Sequence, residues 1–185
     1  RLVKSTYETS HIPVVLLTAL VGKAEELHAL GLGADSYLTK PFDMALVLQR
    51  IRSIIQNRKI LRDKALSLVG DNCVESVLLD NELNNEFITK ATDVVWANIS
   101  KVNFNKEEFA SAMNVSTSLL YKKIKSLTDQ SPAEFIKIIR LNYALKLLRE
   151  GTLSVTEISE LAGFSSPDYF GKAFRRHFGK APSEV

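Results

Sequence analysis

Two clusters of basic, hydroxyl-bearing and aromatic side chains recur at helical spacing in the C-terminal half of this 185-residue sequence. The first cluster consists of Thr117, Ser118, Tyr121, Lys122 and Lys125. The second consists of Lys172, Arg175, Arg176 and His177. Hydroxyl, ammonium and guanidinium groups donate hydrogen bonds to phosphate oxygens and to the acceptor edges of bases. Both clusters therefore point to a polyanionic ligand of the nucleic-acid class.

The elements that must position these clusters have the pattern of two helix-turn-helix units. A short helix over 109–113, a turn over 114–116 and a helix to Leu127 predict the first unit, and Asn114 suits a left-handed turn position. A helix over 154–162, a turn over 163–165 and a helix over 166–178 predict the second unit. We expect a side chain at Gly163 either to meet the helix crossing or to demand a costly positive φ.

Apolar residues at helical spacing predict the buried face of each unit. In the first unit they are Val115, Leu120, Ile124 and Leu127. In the second they are Val155, Ile158, Leu161, Phe164, Phe170, Phe174 and Phe178. Two capping boxes begin at Ser131 and Ser154, and Ser166-Pro167 is a further helix start. The helix over 133–149, which joins the two units, is about 25 Å long at 1.5 Å per residue. With the widths of the neighbouring helices added, the distance between the two units is comparable to one turn of DNA, ~34 Å.

The residue pattern of the N-terminal part predicts an α/β arrangement. A β-branched run over 14–18 has the composition of a parallel strand buried on both faces, a helix over 23–30 follows, and a second strand covers 34–39. Asp43 can cap a helix that ends at Asn57 and Arg58, with an apolar stripe formed by Leu46, Val47, Ile51, Ile54 and Ile55. We therefore expect an α/β fragment over 1–58, a linker over 59–81, and an all-α domain of about seven short helices over 82–185.

Composition favours a cytoplasmic protein that is not an enzyme. The net charge is +3, and residues 101–185 carry 13 basic and 9 acidic side chains, whereas residues 1–100 carry 11 and 12. Cys73 is the single cysteine and the three histidines are scattered, so no metal site, cofactor or catalytic group is expected. The longest apolar run, 14–21, is shorter than the ~20 residues that cross a bilayer. The start at Arg1 suggests that the sequence is part of a longer one.

The C-terminal part resembles the DNA-binding domain of AraC/XylS-family transcription regulators, which has seven helices and two helix-turn-helix units. The resemblance covers roughly 102–185. It is carried by Ser131-Pro-Ala-Glu-Phe135, Arg140-Leu-Asn-Tyr-Ala144, Leu147-Leu148, Glu157-Ile158, Gly163-Phe164-Ser165, Tyr169-Phe170, Phe174-Arg-Arg-His-Phe-Gly179 and Ala181-Pro-Ser-Glu184. Gln130 stands where members usually have glycine, and Ser159 stands where alanine is usual.

The resemblance implies which residues read DNA. Ser118, Tyr121 and Lys122 would meet bases in one major groove, and Pro167, Asp168, Gly171 and Lys172 hold the matching places in the other. Lys125, Arg175 and Arg176 complete the predicted interface. Because Pro167 and Gly171 offer no side-chain hydrogen bond, direct readout in the second groove rests on Asp168 or Lys172, or is replaced by shape readout. Tyr121 packed on its own helix and Arg176 as a solvated charge are the alternative interpretations.

The N-terminal part resembles the second half of a response-regulator receiver domain, through the segments 12–19 and 33–42. The resemblance implies that Thr18 and Lys40 bind phosphoryl oxygens, that Tyr37 is the switch aromatic, and that the Lys40–Pro41 peptide is cis. The acidic residues that bind magnesium and accept phosphate in that family belong to earlier strands. We therefore expect this phosphoryl-switch remnant to be incapable of phosphorylation by the usual route.

These interpretations predict sequence-specific double-stranded DNA binding and transcription regulation, as the output part of a two-component signalling protein. The parent protein would be a response regulator or a hybrid sensor. Further candidate partners are RNA polymerase, the upstream receiver or sensor portion of the parent, and a second copy of the chain. A protein–protein signalling module is the alternative function. We also expect residues 1–58 either to associate through the strand over 14–18 or to show low protection from hydrogen exchange.

Overall fold

The computed structural model describes residues 2–19, 22–68 and 82–185, and its N-terminal part contains a small parallel sheet. Helix α1 (Leu2–Ser5) precedes strand β1 (Val15–Thr18), helix α2 (Lys23–Gly31), strand β2 (Ser36–Thr39) and helix α3 (Met44–Leu68). Strands β1 and β2 run parallel, with Val15 opposite Ser36 and Thr18 opposite Thr39. The predicted strand–helix–strand order is confirmed, and the Lys40–Pro41 peptide is cis as the resemblance implies.

Burial in this N-terminal part is lower than the sequence predicts. Leu16 and Leu17 of β1 are 40% and 43% exposed, so the strand is not buried on both faces. Within the predicted stripe of α3, Val47 is buried and Ile54 is half-buried, whereas Leu46, Ile51 and Ile55 are exposed. An apolar face is buried only when another element covers it, and no third strand pairs with the sheet in the described part of the chain. Self-association or rapid exchange of this part remains a prediction.

Helix α3 is longer than predicted. It ends at Leu68 rather than at Arg58, so its last turns occupy the beginning of the segment assigned to a linker. The apolar stripe breaks there, but leucine, arginine, lysine and alanine favour helix without one. The rest of the predicted linker, 69–81, lies outside the described residues.

Residues 82–185 are described without a gap and form six α-helices and one 3-10 turn, in agreement with the predicted all-α domain. The helices are α4 (Glu82–Ala97), α5 (Lys106–Ala112), α6 (Thr117–Thr128), α7 (Pro132–Glu150), α8 (Val155–Leu161) and α9 (Pro167–Phe178), and the 3-10 turn covers Pro182–Glu184. Each of α5 to α9 begins with a polar side chain that accepts hydrogen bonds from free backbone N–H groups; these are Asn105, Ser116, Ser131, Ser154 and Ser166.

The two predicted capping boxes have different outcomes. The box at Ser154 is complete, because the Glu157 carboxylate accepts from the Ser154 backbone N–H at 2.8 Å. This hydrogen bonding lowers the pKa of Glu157. Ser131 caps α7, but the Glu134 carboxylate binds the Lys137 ammonium at 2.5 Å instead of returning to the cap. The Glu134 carboxylate thus pairs with the Lys137 ammonium instead of the Ser131 backbone N–H, and the capping box at Ser131 is incomplete.

Two separate apolar cores hold the domain, and α7 contributes to both. The first core contains Phe87, Phe109, Leu120, Ile124 and Ile139, among others. The second contains Leu141, Ile158, Phe170 and Phe174. Most predicted core positions are buried or packed against these clusters. Leu161 is the exception at 42% exposed, because α8 buries the face that carries Ile158 and Ser159 instead. Each helix-turn-helix unit thus has a core of its own.

Ser159 is fully buried in the second core, and its hydroxyl has no hydrogen-bond partner among the described residues. A buried hydroxyl without a partner costs about 1–3 kcal/mol of desolvation. We expect Ser159→Ala to raise the free energy of unfolding by about 1 kcal/mol more than Ser111→Ala, which removes an exposed hydroxyl from helix α5. Urea denaturation measures both. Equal effects of the two substitutions would mean that the Ser159 hydroxyl is satisfied.

A buried cation links the first core to residues 6–12, here called the N-terminal turn. Lys123 of α6 is fully buried, and its ammonium donates to Ser10 Oγ at 3.3 Å. The same ammonium lies 3.9 Å from the centre of the Tyr7 ring and 4.7 Å from that of Phe87. Aromatic faces attract cations because of the negative charge on the ring face. Burial nevertheless lowers the pKa of Lys123 from 10.5 to about 8.

This pKa shift predicts a pH-dependent stability. Between pH 8 and 10 the unfolded chain keeps the Lys123 proton while the folded chain releases it, so the unfolded state binds more protons and stability rises with pH. Relative to Lys123→Met, the wild type should gain on the order of 1–2 kcal/mol of unfolding free energy between pH 7.5 and 9.5. Denaturant unfolding of both proteins at the two pH values measures the gain. A constant difference between them would contradict the prediction.

Candidate nucleic-acid interface

The first unit presents one face of α6 to solvent. Asn114 has φ 56°, as expected for the turn, and the Ser116 hydroxyl accepts from the Leu119 N–H at 3.2 Å. Leu120 and Ile124 are fully buried, which fixes the rotation of the helix about its axis. The predicted reader residues are on the opposite side; Ser118, Tyr121, Lys122 and Lys125 are all exposed.

Lys125 differs from its neighbours because it already has a partner. Its ammonium lies 3.1 Å from the Asp129 carboxylate and donates to the Asp129 carbonyl oxygen at 2.6 Å. Both side chains are about half-exposed or more, so water weakens the pair. Lys125 can therefore reach a phosphate only in competition with Asp129. Lys122 forms no ion pair with a described side chain.

The second unit presents a similar face on α9. Gly163 has φ 71°, and Ser166 caps the helix by accepting from the Tyr169 N–H at 3.2 Å. Phe170 and Phe174 are fully buried and lie 5.5 Å apart between ring centres. The predicted reader residues are on the other side; Pro167, Asp168, Lys172, Arg175 and Arg176 are exposed and Gly171 is half-buried.

Charge is distributed unevenly along α9. Asp168 lies in the first turn, and Arg175, Arg176 and His177 lie in the last turn. This order matches the helix dipole, which favours acidic groups at the start and basic groups at the end. The arrangement places three basic side chains in the last turn of α9. A Cβ added at Gly171 would meet nothing within 4 Å, so the middle of the helix permits close approach of a ligand.

The three residues of the predicted phosphoryl-switch remnant lie at the sheet. Thr18 and Thr39 are partners at the carboxyl ends of β1 and β2, and the Lys40 backbone N–H donates to the Thr18 carbonyl at 2.6 Å. The structure therefore brings Thr18 and Lys40 together at one sheet edge. Lys40 is exposed, and Thr18 and Tyr37 are half-buried. Their role in binding a phosphoryl group remains a prediction.

Sequence reasoning missed two residues, Tyr169 on the candidate interface and Lys123 buried behind it. Tyr169 is 52% exposed and shares a helix face with Lys172 and Arg176, three and seven residues later. It also lines an open groove of about 460 Å³ together with Lys106. Lys123 was missed although it lies three residues after Leu120 and one before Ile124, a spacing that places it on the apolar face.

The described residues, 2–19, 22–68 and 82–185, contain neither a metal-binding cluster nor a membrane-spanning helix. No group of three or more His, Cys, Asp or Glu side chains there could hold a metal ion. No described helix is long and apolar enough to span a bilayer.

Comparison with known proteins places the C-terminal half among helix-turn-helix domains. A family model described as "Helix-turn-helix domain" matches residues 109–185. A transcriptional regulator from Chromobacterium violaceum with an AraC-type DNA-binding domain superposes with a TM-score of 0.52 at 29% identity, over 56% of this chain and 92% of that one. The Msm operon regulatory protein of Streptococcus mutans is 40% identical over 77 residues, 42% of this chain and 28% of its own length.

One relative extends across the N-terminal part as well. A histidine kinase, "Histidine kinase P4" of Formosa agariphila, is 35% identical over 182 residues, which is 98% of this chain and 13% of the kinase. The chain thus spans much less than two thirds of both curated relatives. Residues 109–185 thus match a helix-turn-helix family model and are similar to the AraC-type DNA-binding domain of a transcriptional regulator. The prediction that this domain is not an enzyme is confirmed.

Proposed function

We propose that this chain binds specific double-stranded DNA with α6 and α9 and regulates transcription as the output of a two-component signalling protein. The observation that carries the proposal is the pair of exposed polar and basic helix faces, each held by its own apolar core. Helix α7 joins the cores and has 19 residues, about 28 Å at 1.5 Å per residue. With the widths of the flanking helices added, this length suits readers in successive major grooves, one DNA turn of ~34 Å apart.

The exposed residues divide into two kinds of contact. Ser118, Tyr121 and Lys122 of α6 and Asp168 and Lys172 of α9 read base edges, and the close approach permitted by Pro167 and Gly171 adds shape readout. Arg175 and Arg176 at the end of α9 bind phosphates, and Lys125 does so when it leaves Asp129. This division makes α6 the stronger direct reader, because it offers a hydroxyl, a phenol and an ammonium on one face.

The two-component part of the proposal rests on the N-terminal half. The similarity to a histidine kinase covers 98% of the chain, so it includes the strand–helix–strand unit as well as the DNA-binding domain. A parallel pair of strands with Thr18 and Lys40 at the carboxyl edge is consistent with the second half of a receiver domain. Tyr37 on β2 would be its switch aromatic. We propose that the parent is a hybrid sensor, with a response regulator as the alternative.

The proposed position of this chain in a two-component protein implies further partners. The exposed leucines and isoleucines of β1 and α3 would be covered by the upstream receiver or sensor portion of the parent, or by a second copy of the chain. RNA polymerase is a further proposed partner, since transcription regulators act on it. The proposed location is the cytoplasm, where the DNA and the polymerase are found.

A protein–protein signalling module is the alternative function, and the salt dependence of binding separates the two. DNA binding through cations releases counterions, so the logarithm of the affinity falls linearly with the logarithm of salt, with a slope of about −0.9 per phosphate contacted. We expect a slope of about −3 or steeper for random duplex DNA. Absence of duplex binding at 50 mM salt would favour the protein module.

A further inference from the structure

The N-terminal turn is fixed to the back of the first helix-turn-helix unit by a small polar network. Ser10 is fully buried; its hydroxyl bonds to Asn84 Oδ1 at 2.9 Å, and Asn84 Nδ2 donates to the Ser10 carbonyl at 3.3 Å. The Tyr7 ring packs edge-on to Phe87 with 5.9 Å between centres. Both partners, Asn84 and Phe87, belong to α4. The turn is therefore seated on the DNA-binding domain although it lies more than 70 residues away in the sequence.

Lys123 connects this network to the reader helix. Its ammonium contacts Ser10 Oγ and the Tyr7 ring, and its backbone lies between the exposed Lys122 and the buried Ile124 in α6. A helix of 12 residues moves as one body, so a rotation or shift at Lys123 is transmitted to Tyr121 and Lys122. The inner contact and the DNA-facing side chains are thus mechanically coupled.

The hydrogen bonds and ring contacts of this network are expected to form or break together. Buried polar groups stabilise one another when all are paired, and the loss of one leaves the others unpaired at a cost. Removing the turn would leave the Lys123 ammonium without the hydroxyl and the tyrosine face that now surround it. Two discrete arrangements of α6 are therefore expected, with the turn seated and with the turn released.

We infer that the N-terminal turn is a latch that sets the orientation of α6 through Lys123, and thereby controls DNA reading by Tyr121 and Lys122 without touching DNA. The inference rests on the proposed DNA-binding function. In this account a movement of the N-terminal part reaches α6 through the turn, since Tyr7 and Ser10 lie a few residues before β1. Lys123 is a positioning residue in this account.

The test compares Ser10→Ala and Tyr7→Leu with Thr6→Ala, which removes an exposed hydroxyl from the same turn. Hydrogen exchange without DNA should be about 5-fold faster or more at the amides of α6 in the first two variants, and unchanged in α9. Affinity for a selected duplex should fall about 5-fold or more, with the salt slope unchanged because no phosphate contact is lost. Thr6→Ala should match the wild type in every measurement.

Wild-type exchange and affinity in Ser10→Ala would overturn the latch. Equal acceleration of exchange in α6 and α9 would also overturn it, because it would show general destabilisation of the domain. Ser10→Ala removes one hydroxyl only, so it decides the question if Tyr7→Leu does not fold. Failure of the wild type to bind any duplex would contradict the proposed function instead, while the exchange comparison would still report whether the turn holds α6.

Discussion

Replacing Gly163 with valine is expected to unfold the second helix-turn-helix unit. Gly163 has φ +71°, which a β-branched residue adopts only with strain of about 1–3 kcal/mol. Its position is also crowded: an added Cβ would overlap the carbonyl oxygen of Ile99 and would lie 3.0 Å from the guanidinium carbon of Arg140. Overpacking against backbone adds about 1–3 kcal/mol. The sum is a large part of the 5–15 kcal/mol that stabilises an ordinary domain.

Gly151 is a matched control for this substitution. It has nearly the same backbone conformation, φ +66°, but an added Cβ would meet nothing within 4 Å. Gly151→Val should therefore show the conformational strain alone, and the difference between the two variants isolates the crowding. Thermal melting and circular dichroism measure both. The packing of Gly163 against Ile99 and Arg140 would be contradicted if the two substitutions lowered the melting temperature equally.

Truncation of the two proposed reader lysines is expected to weaken specific DNA binding more than non-specific binding. If Lys122 and Lys172 contact bases, each substitution by alanine should cost about 1–3 kcal/mol on a selected duplex and little on random DNA. Arg175→Ala should weaken binding to both duplexes alike and reduce the salt slope by about 1, because a phosphate contact is lost. Titrations of both duplexes at several salt concentrations separate the two patterns.

Lys23→Ala controls for the change in net charge, since Lys23 is exposed at the start of α2 in the N-terminal part. It should bind both duplexes as the wild type does. Equal small losses for Lys122→Ala, Lys172→Ala and Arg175→Ala would contradict the assignment of base readers. In that case, the faces of α6 and α9 would supply charge only, and specificity would have to come from DNA shape.

Local features of the domain could be predicted because short-range chemistry determines them. Asn114 and Gly163 have positive φ values at the turns, and Ser131, Ser154 and Ser166 cap the helices that follow. In each case the residue type satisfies a backbone requirement within three or four positions along the chain. The 3.6-residue spacing of apolar side chains likewise indicated which faces of α6 and α9 are exposed.

Features that depend on contacts distant in sequence could not be predicted in this way. The bond between Lys123 and Ser10 joins residues 113 positions apart, and no local pattern indicates it. Leu161 and Ile51 illustrate the same limit, since periodicity marks an apolar side chain without showing whether another element covers it. For Ser159, the departure from the usual alanine coincides with a buried hydroxyl that has no described partner.

Selection of bound fragments from a random pool of double-stranded DNA tests the central claim most directly. With α6 and α9 as readers, the full chain should enrich a site with two short specified segments, 10–10.5 base pairs apart from centre to centre. Lys122→Ala should relax the sequence preference in one segment and Lys172→Ala in the other. Enrichment of no sequence, or of a single segment unaffected by either substitution, would contradict the account.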